Sequence, residues 1–173
     1  MSASKEQQLW EACTSGDLDL VKSLANDPAV NVNWVGPERS DTPLHRACRF
    51  GHVEVVKVLL KLPKINVNAE NAGKATPFYI ACQNGHKEEV SLLLADTRID
   101  VNKPMDGGFT PFHRVCENGH KEVVSLLLAS IFKDLLLLFL LLPSFFPRSH
   151  PSTESRCRVQ WQQARSLPIT HLH

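Results

Sequence analysis

Apolar side chains recur along this chain in pairs of short stripes that are separated by polar stretches. Within residues 42–60, Leu44, Ala47 and Cys48 stand at the spacing of one helical face. A second stripe begins after Gly51 and consists of Val53, Val56, Leu59 and Leu60. A polar, glycine-containing stretch follows at 65–76. The pattern predicts helix, turn, helix and extended loop, and helices this short need neighbours to stay folded.

This unit recurs every 34 residues. The segments TPLHRAC, TPFYIAC and TPFHRVC begin at positions 42, 76 and 110, and a Gly-His pair and a Leu-Leu pair keep the same register. A degenerate first copy fits with one extra residue between 33 and 42, since Cys13 and Gly16 lie 35 before Cys48 and Gly51. Such a period predicts a solenoid in which each unit buries its stripes against its neighbours.

Conserved spacing within each copy marks the helix boundaries. Threonine followed by proline predicts a helix start, because the hydroxyl caps a free backbone N–H and proline at the first helical position loses no hydrogen bond. The glycine of the Gly-His pair predicts the end of the first helix, where a left-handed residue is needed. The histidines after these glycines, His52, His86 and His120, are interpreted as turn residues that open the second helices.

One cysteine stands at the same position of every copy: Cys13, Cys48, Cys82 and Cys116. Stacked helices lie roughly 8–10 Å apart. That distance is too long for a disulfide and for shared zinc ligands at about 2.3 Å per bond. The four thiols are therefore predicted to be small apolar side chains buried in one dry interior row.

The pattern TPLHRACRFGHVEVVKVLL, followed by INVN and the next Thr-Pro, resembles the ankyrin repeat over roughly residues 5–129. The resemblance implies an all-α solenoid, an L-shaped stack of helix-turn-helix units with projecting hairpin-like fingers. His45 and His113 stand where the family's histidine hydrogen-bonds neighbouring turns, and Tyr79 replaces it in the middle copy. The expected divisions are a degenerate N-terminal capping repeat (1–40), repeats at 41–74 and 75–108, an incomplete final repeat (109–130), an apolar leucine-rich segment (131–143) and a disordered tail (144–173).

Ankyrin fingers usually carry a glycine two residues before the threonine of the Thr-Pro pair. Gly108 provides it in one finger, but Ser40 and Lys74 replace it in the other two. We therefore expect these two fingers to adopt altered turns.

Family members mostly bind other proteins through the finger tips and the concave face of the first helices. Carried onto this chain, the resemblance assigns partner binding to Arg46, Arg49, Phe50, Ile80, Gln83, Asn84, Phe109, Arg114, Glu117 and Asn118. Further finger-tip candidates are Glu38, Arg39, Asp41, Lys74 and Asp106. Arginine and aromatic side chains dominate interface energetics, so the arginines and Phe50 are a plausible contact set.

Composition and the absence of known motifs exclude several classes of function. The 173 residues carry a formal net charge of +1, which argues against a nucleic-acid binder with a strongly basic face. There is no zinc-site HExxH pair, no phosphate-binding loop and no G-x-S-x-G elbow, so neither a metal, a cofactor nor catalysis is expected. The N-terminus has no apolar run typical of a secretory signal. The prediction is a monomeric, cytoplasmic protein-binding module.

The repeat register is lost after Ala129, where the chain continues into the leucine run 135–142. Three hypotheses remain open. Residues 123–146 would anchor the protein in a membrane, but only with Lys133 and Asp134 near mid-bilayer, which is costly. Alternatively, the leucines would form a capping helix on the last repeat. In the third hypothesis the chain is a truncated fragment of a longer ankyrin-repeat protein, with intron-derived or frame-shifted sequence at its end.

Overall fold

The computed structural model describes residues 3–130 of the chain, which lie in the unit Met1–Lys133. The helices follow each other in pairs and are α1 (Lys5–Ser15), α2 (Leu18–Ala25), α3 (Pro43–Phe50), α4 (Val53–Leu60), α5 (Pro77–Asn84), α6 (Lys87–Leu94) and α7 (Pro111–Glu117). Residues 121–130 are also helical and are called α8. No strand occurs within residues 3–130.

Three regions assigned from the sequence fall outside this description. The leucine-rich segment 131–143 and the tail 144–173 lie outside the described residues, and so does most of the hypothetical anchor 123–146. Within residues 3–130, every helix is too short or too polar to cross a bilayer.

The helices form two rows. In the first row α1, α3, α5 and α7 pack side by side, in the second α2, α4 and α6 do so, and each helix also contacts its partner in the other row. The shared interior consists mainly of leucine, valine and alanine side chains, and Cys13, Cys48 and Cys82 lie fully buried within it. The predicted all-α solenoid is confirmed.

The fourth cysteine departs from the prediction. Cys116 is exposed, although it occupies the same repeat position as the three buried thiols. Cys48 is on α3 and Cys82 on α5, and each of these helices is covered by the next helix of its row. Cys116 is on α7, the last helix of that row among the described residues, so the dry row ends at Cys82.

The predicted helix starts are present in all three Thr-Pro copies. The hydroxyls of Thr42, Thr76 and Thr110 each accept from the backbone N–H three residues later, and a proline occupies the first helical turn. Gly51 and Gly85 end α3 and α5 with φ of 76° and 74°, as the left-handed position requires.

The Gly-His pairs join successive repeats. The imidazole Nε2 of His52 donates to the Thr14 carbonyl (3.0 Å), and His86 and His120 make the corresponding bonds one and two repeats later (3.1 and 2.9 Å). Each ring lies against the glycine of the preceding repeat, so closely that a Cβ on Gly85 would be 2.5 Å from the His120 Nδ1. The interpretation of these histidines as turn residues was incomplete, because they also tie the repeats together.

Two asparagines make similar ties at the other edge of each repeat. The Asn33 amide group donates to the Lys64 carbonyl (2.8 Å), and its carbonyl oxygen accepts from the Asn66 backbone N–H (2.8 Å). Asn68 makes the same two bonds to the following repeat, at 2.7 and 2.9 Å. Each asparagine thus holds two backbone groups of the next repeat.

Three fingers precede α3, α5 and α7. Backbone hydrogen bonds close finger 1 between residues 36 and 41 (3.0 Å), finger 2 between 71 and 75 (3.1 Å) and finger 3 between 105 and 109 (3.0 Å). Finger 1 is one residue longer, which accounts for the 35-residue offset of the first copy. The residue two before the threonine is left-handed in every finger, with φ of 56° at Ser40, 56° at Lys74 and 79° at Gly108. The left-handed position is thus kept without glycine, but the turns differ, as expected for fingers 1 and 2. Finger 1 is one residue longer, and finger 2 has a single left-handed residue, Lys74, where finger 3 has Gly107 and Gly108.

One core position carries a carboxylate. Glu89 occupies the position that Val55 and Val123 take in neighbouring repeats, and it is only 2% exposed. Its Oε1 has no hydrogen-bond partner among the described residues. A buried carboxylate oxygen without a partner is destabilising, so this repeat contains a local defect in an otherwise apolar seam.

Candidate functional site

The first helices and the fingers meet at one repeat position that Trp10, His45, Tyr79 and His113 share. In the first repeat Trp10 Nε1 donates to the Asp41 carbonyl of finger 1 (2.8 Å). In the second, His45 Nε2 donates to the equivalent Ala75 carbonyl of finger 2 (3.0 Å), as the resemblance predicted. Trp10 and His45 thus fix fingers 1 and 2 against the helix of the preceding repeat.

His45 is held in one protonation state by this arrangement. Its Nδ1 accepts from the backbone N–H of Thr42 (3.1 Å) while Nε2 donates to Ala75, so the neutral ring satisfies both neighbours. The side chain is fully buried, and this burial lowers the pKa of His45 below its usual value of 6.5. Among the described residues, His113 repeats only the capping contact with Thr110, and it is exposed.

Arg46 is packed between two aromatic rings. Its guanidinium carbon lies 4.3 Å from the centre of the Trp10 ring and 4.9 Å from that of Phe50. Nε donates to the Thr14 hydroxyl (3.0 Å) and Nη1 to the Glu38 carboxylate (2.9 Å). Arg46 was expected to contact a partner from an exposed position. That exposure is wrong, because these partners leave only 7% of the residue exposed.

Asp41 organises the base of the same region. Its side chain is fully buried, and Oδ2 accepts two bonds from Arg49, from Nε at 3.1 Å and from Nη2 at 2.8 Å. Oδ1 accepts from the Asn71 amide (2.8 Å), which joins finger 1 to finger 2. Asp41 was expected at a finger tip. It is instead a buried anchor, and it leaves Arg49 partly exposed, with an Nη1 group that has no partner among the described residues.

The middle repeat differs from its neighbours at two adjacent positions. Ile80 stands where the flanking repeats have Arg46 and Arg114, and it is only 1% exposed, so its predicted exposure on the binding face is wrong. Tyr79 stands in the histidine position, and its buried hydroxyl accepts from Arg114 Nε (2.9 Å). Isoleucine is shorter than arginine, so the side chain at this position does not extend from the helix as Arg46 and Arg114 do.

Arg114 borders the opening from the following repeat. Its guanidinium carbon lies 5.3 Å from the Phe109 ring centre, Nη1 donates to Glu117 (2.6 Å), and Nη2 contacts the Met105 sulfur (3.7 Å). Arg114 is partly exposed, while Phe109 and Glu117 are exposed.

The remaining candidates lie between these groups. The side-chain amides of Asn84 and Asn118 donate to the carbonyls of Arg49 (3.3 Å) and Gln83 (2.8 Å), so both asparagines tie first helices together while staying exposed. Gln83 is half-buried, and Phe50 is 46% exposed above the Arg46 guanidinium.

A pocket of about 290 Å³ lies beside α5 and finger 2. The previous repeat contributes Arg39 and Arg49 to its wall, α5 contributes Tyr79 and Gln83, and the following repeat contributes Arg114. The apolar part of the wall consists of Ala72, Ala75, Ile80 and Met105.

Comparison with known families bears on what this surface is. Residues 65–135 match a family model described as ankyrin repeats in three copies, and residues 9–60 match a second one described as ankyrin repeats in many copies. The chain belongs to the ankyrin-repeat family. A comparison with curated proteins gave no match. Ankyrin repeats are generally protein–protein interaction modules and are typically non-catalytic.

Within the ankyrin stack, three side chains of the candidate site have structural roles that sequence reasoning did not assign to them. Trp10 forms a wall of the Arg46 site, Tyr79 lines the pocket, and Asp41 holds Arg49. The 35-residue offset between Trp10 and His45 was a usable signal, because it places the indole in the histidine position. Nothing in the sequence marks Asp41 as buried, since its partners come from α3 and finger 2.

The buried cysteine thiols of the ankyrin interior are chemically unreactive. Burial raises the pKa of the Cys13 and Cys82 thiols to about 12, and it raises that of Cys48 well above its usual value. No group of three or more His, Cys, Asp or Glu side chains arranged to hold a metal ion occurs in the described part of the chain.

Proposed function

We propose that the face formed by the first helices and the three fingers binds a protein partner without catalysing a reaction. The observation that carries this proposal is a pair of exposed aromatic side chains, Phe50 and Phe109, each placed over a fixed arginine. Aromatic and arginine side chains provide much of the binding energy at protein interfaces.

Rigidity of the face supports the proposal. Arg46 donates to Thr14 of the preceding repeat, and Arg49 donates to Asp41 at the end of finger 1. Arg114 donates to Tyr79 and Glu117. Side chains that are already ordered lose little conformational entropy on docking, so more of the contact energy appears as affinity.

Charge on this face favours a protein over a nucleic acid. The arginines are interspersed with Glu38, Asp41 and Glu117, each of which pairs with an arginine. A nucleic-acid surface would instead present unpaired cations along a stripe.

The candidate set divides by exposure. Partner contact is assigned to Arg49, Phe50, Gln83, Asn84, Phe109, Arg114, Glu117 and Asn118. Arg46 and Ile80 are assigned a supporting role, because both are buried.

We also propose that residues 1–130 consist of four units and that the protein is a monomer. The proposed cytoplasmic location suits free thiols such as Cys48.

The test compares two variants of the full chain. Phe50→Ala combined with Phe109→Ala removes both aromatic contacts, whereas Leu20→Ala removes a similarly exposed apolar side chain from α2 in the other helix row. Immobilised wild-type, double-variant and control proteins are incubated with cell extract, and retained proteins are identified by mass spectrometry.

We expect a partner that wild type and Leu20→Ala retain and that the double variant loses, with unchanged melting temperatures. Equal retention of every captured protein by the double variant would refute the assignment of this face.

A further inference from the structure

We propose that the pocket beside α5 and finger 2 binds the carboxylate of one Asp or Glu side chain in an extended segment of the protein partner. This inference rests on the proposed function, and it adds the chemistry of the partner. The pocket lies at the middle repeat, where it is lined by Tyr79 and Ile80, the two residues that break the pattern of the flanking repeats.

The pocket exists because of a substitution pattern. In the flanking repeats an arginine from the first helix, Arg46 or Arg114, extends toward the finger and pairs with a carboxylate, Glu38 or Glu117. In the middle repeat Ile80 is too short to do so, and no carboxylate lines the space. An arginine on each side, Arg49 and Arg114, therefore borders a gap that the chain does not fill.

Hydrogen-bond donors converge on this gap. Arg39 lines the pocket and makes no ion pair within the described residues. Arg49 donates to Asp41 through Nε and Nη2, so its Nη1 has no acceptor among the described residues. The Tyr79 hydroxyl accepts from Arg114, and its own proton has no acceptor among the residues that the structure describes.

The Asn71 side-chain acceptor in the wall is already engaged. The Asn71 side-chain carbonyl accepts from the backbone N–H groups of Gly73 (3.0 Å) and Ala75 (3.1 Å). A pocket with uncommitted donors and three guanidinium groups favours an anionic acceptor, and arginine pairs with a carboxylate in a planar, bidentate geometry.

Size and lining favour a side chain over a free small molecule. Sites for drug-sized ligands span about 300–1,000 Å³, so about 290 Å³ lies at the small end of that range. The apolar wall that includes Ile80 and Met105 suits an apolar neighbour of the acidic residue. The partner segment is therefore expected to carry Asp or Glu next to an apolar residue.

The probe is a library of random displayed twelve-residue peptides, selected against the immobilised full chain. We expect Asp or Glu to be enriched at one position beside an apolar residue. A selected peptide is then synthesised with a fluorescent label, together with versions carrying Gln or phosphoserine in place of the acid, and binding is measured by fluorescence anisotropy.

Two protein variants locate the effect. Arg39→Ala with Tyr79→Phe removes a free cation and the hydroxyl, whereas Lys61→Ala removes an exposed cation that makes no ion pair in the described structure and lies at the end of α4. Replacing the acid by Gln should weaken binding to wild type and to Lys61→Ala by about tenfold. The same replacement should change binding to the double variant less than about twofold. If Tyr79→Phe impairs folding, Arg39→Ala alone serves.

Several outcomes would overturn the inference. These are a library without acidic enrichment, the absence of any binding peptide, an equal effect of Gln on wild type and the double variant, and a phosphoserine peptide that binds far more tightly than the Glu peptide. Failure of the pocket is distinguishable from failure of the proposed function. A peptide whose binding is unchanged when Gln replaces the acid, but which does not bind Phe50→Ala with Phe109→Ala, refutes only the pocket.

Discussion

Replacing Gly85 with alanine tests how the repeats are held to each other. Gly85 ends α5 with φ of 74°, and the His120 ring of the next repeat lies against it. Gly119 has the same left-handed conformation, φ of 73°, but no atom of the described residues lies within 4 Å of the position that its Cβ would take. The two glycines therefore share the backbone requirement and differ in the histidine contact.

The expected cost is larger at Gly85. Alanine in the left-handed conformation costs about 1–2 kcal/mol at either site. At Gly85 the new Cβ would also be 2.5 Å from His120 Nδ1, so the ring must move and lose its 2.9 Å bond to the Gln83 carbonyl. A lost hydrogen bond of this kind adds about 0.5–1.5 kcal/mol. Gly85→Ala should thus destabilise the chain by about 1.5–3.5 kcal/mol.

Urea denaturation followed by circular dichroism measures both variants in the full chain. The effect of alanine on the unfolded chain is the same at both sites, so it cancels in the difference. Adding His120→Ala should remove the extra cost at Gly85, because the small side chain leaves space for the Cβ. Equal destabilisation by Gly85→Ala and Gly119→Ala would refute the close contact between repeats.

Four further predictions concern single positions. Glu89→Val should raise the free energy of unfolding by about 1–3 kcal/mol, since it replaces an unpartnered buried carboxylate, and no gain in urea denaturation would refute this. Ser40→Gly should raise it by about 0.5–1 kcal/mol because φ there is 56°, whereas a loss would show that the turn needs serine. Maleimide should label exposed Cys116 in the native protein but not buried Cys82, as read by peptide mass spectrometry, and native labelling of Cys82 would contradict its burial. The pKa of His45 is lowered by burial, so the unfolded chain binds its proton first and stability should fall as pH drops below about 6.5; a pH-independent midpoint would contradict this.

Much of the fold follows from local chemistry that the sequence displays. Thr42 and Gly51 specify the ends of α3 through a hydroxyl cap and a left-handed residue, and both effects depend on neighbours within a few positions. The buried row of thiols was also predictable, because the 34-residue period fixes which positions face the interior. Cys116 was misjudged because its burial depends on a further helix of that row.

The binding face was harder to predict than the fold. Arg46 looks like a surface residue from its position on α3, yet Trp10 and Phe50 enclose it from two directions. Asp41 is buried by partners 8 and 30 residues away, Arg49 and Asn71. Such networks depend on the side chains of several repeats at once, whereas periodicity describes each repeat separately.

The asparagine ties at Asn33 and Asn68 have an evolutionary implication. Each side chain bonds to a carbonyl and an N–H of the following repeat's main chain, groups that every residue type other than proline provides. Adjacent repeats therefore join without requiring particular side chains on the receiving side. Substitutions can accumulate on the exposed face, and whole repeats can be duplicated or exchanged, while the junctions between them stay intact.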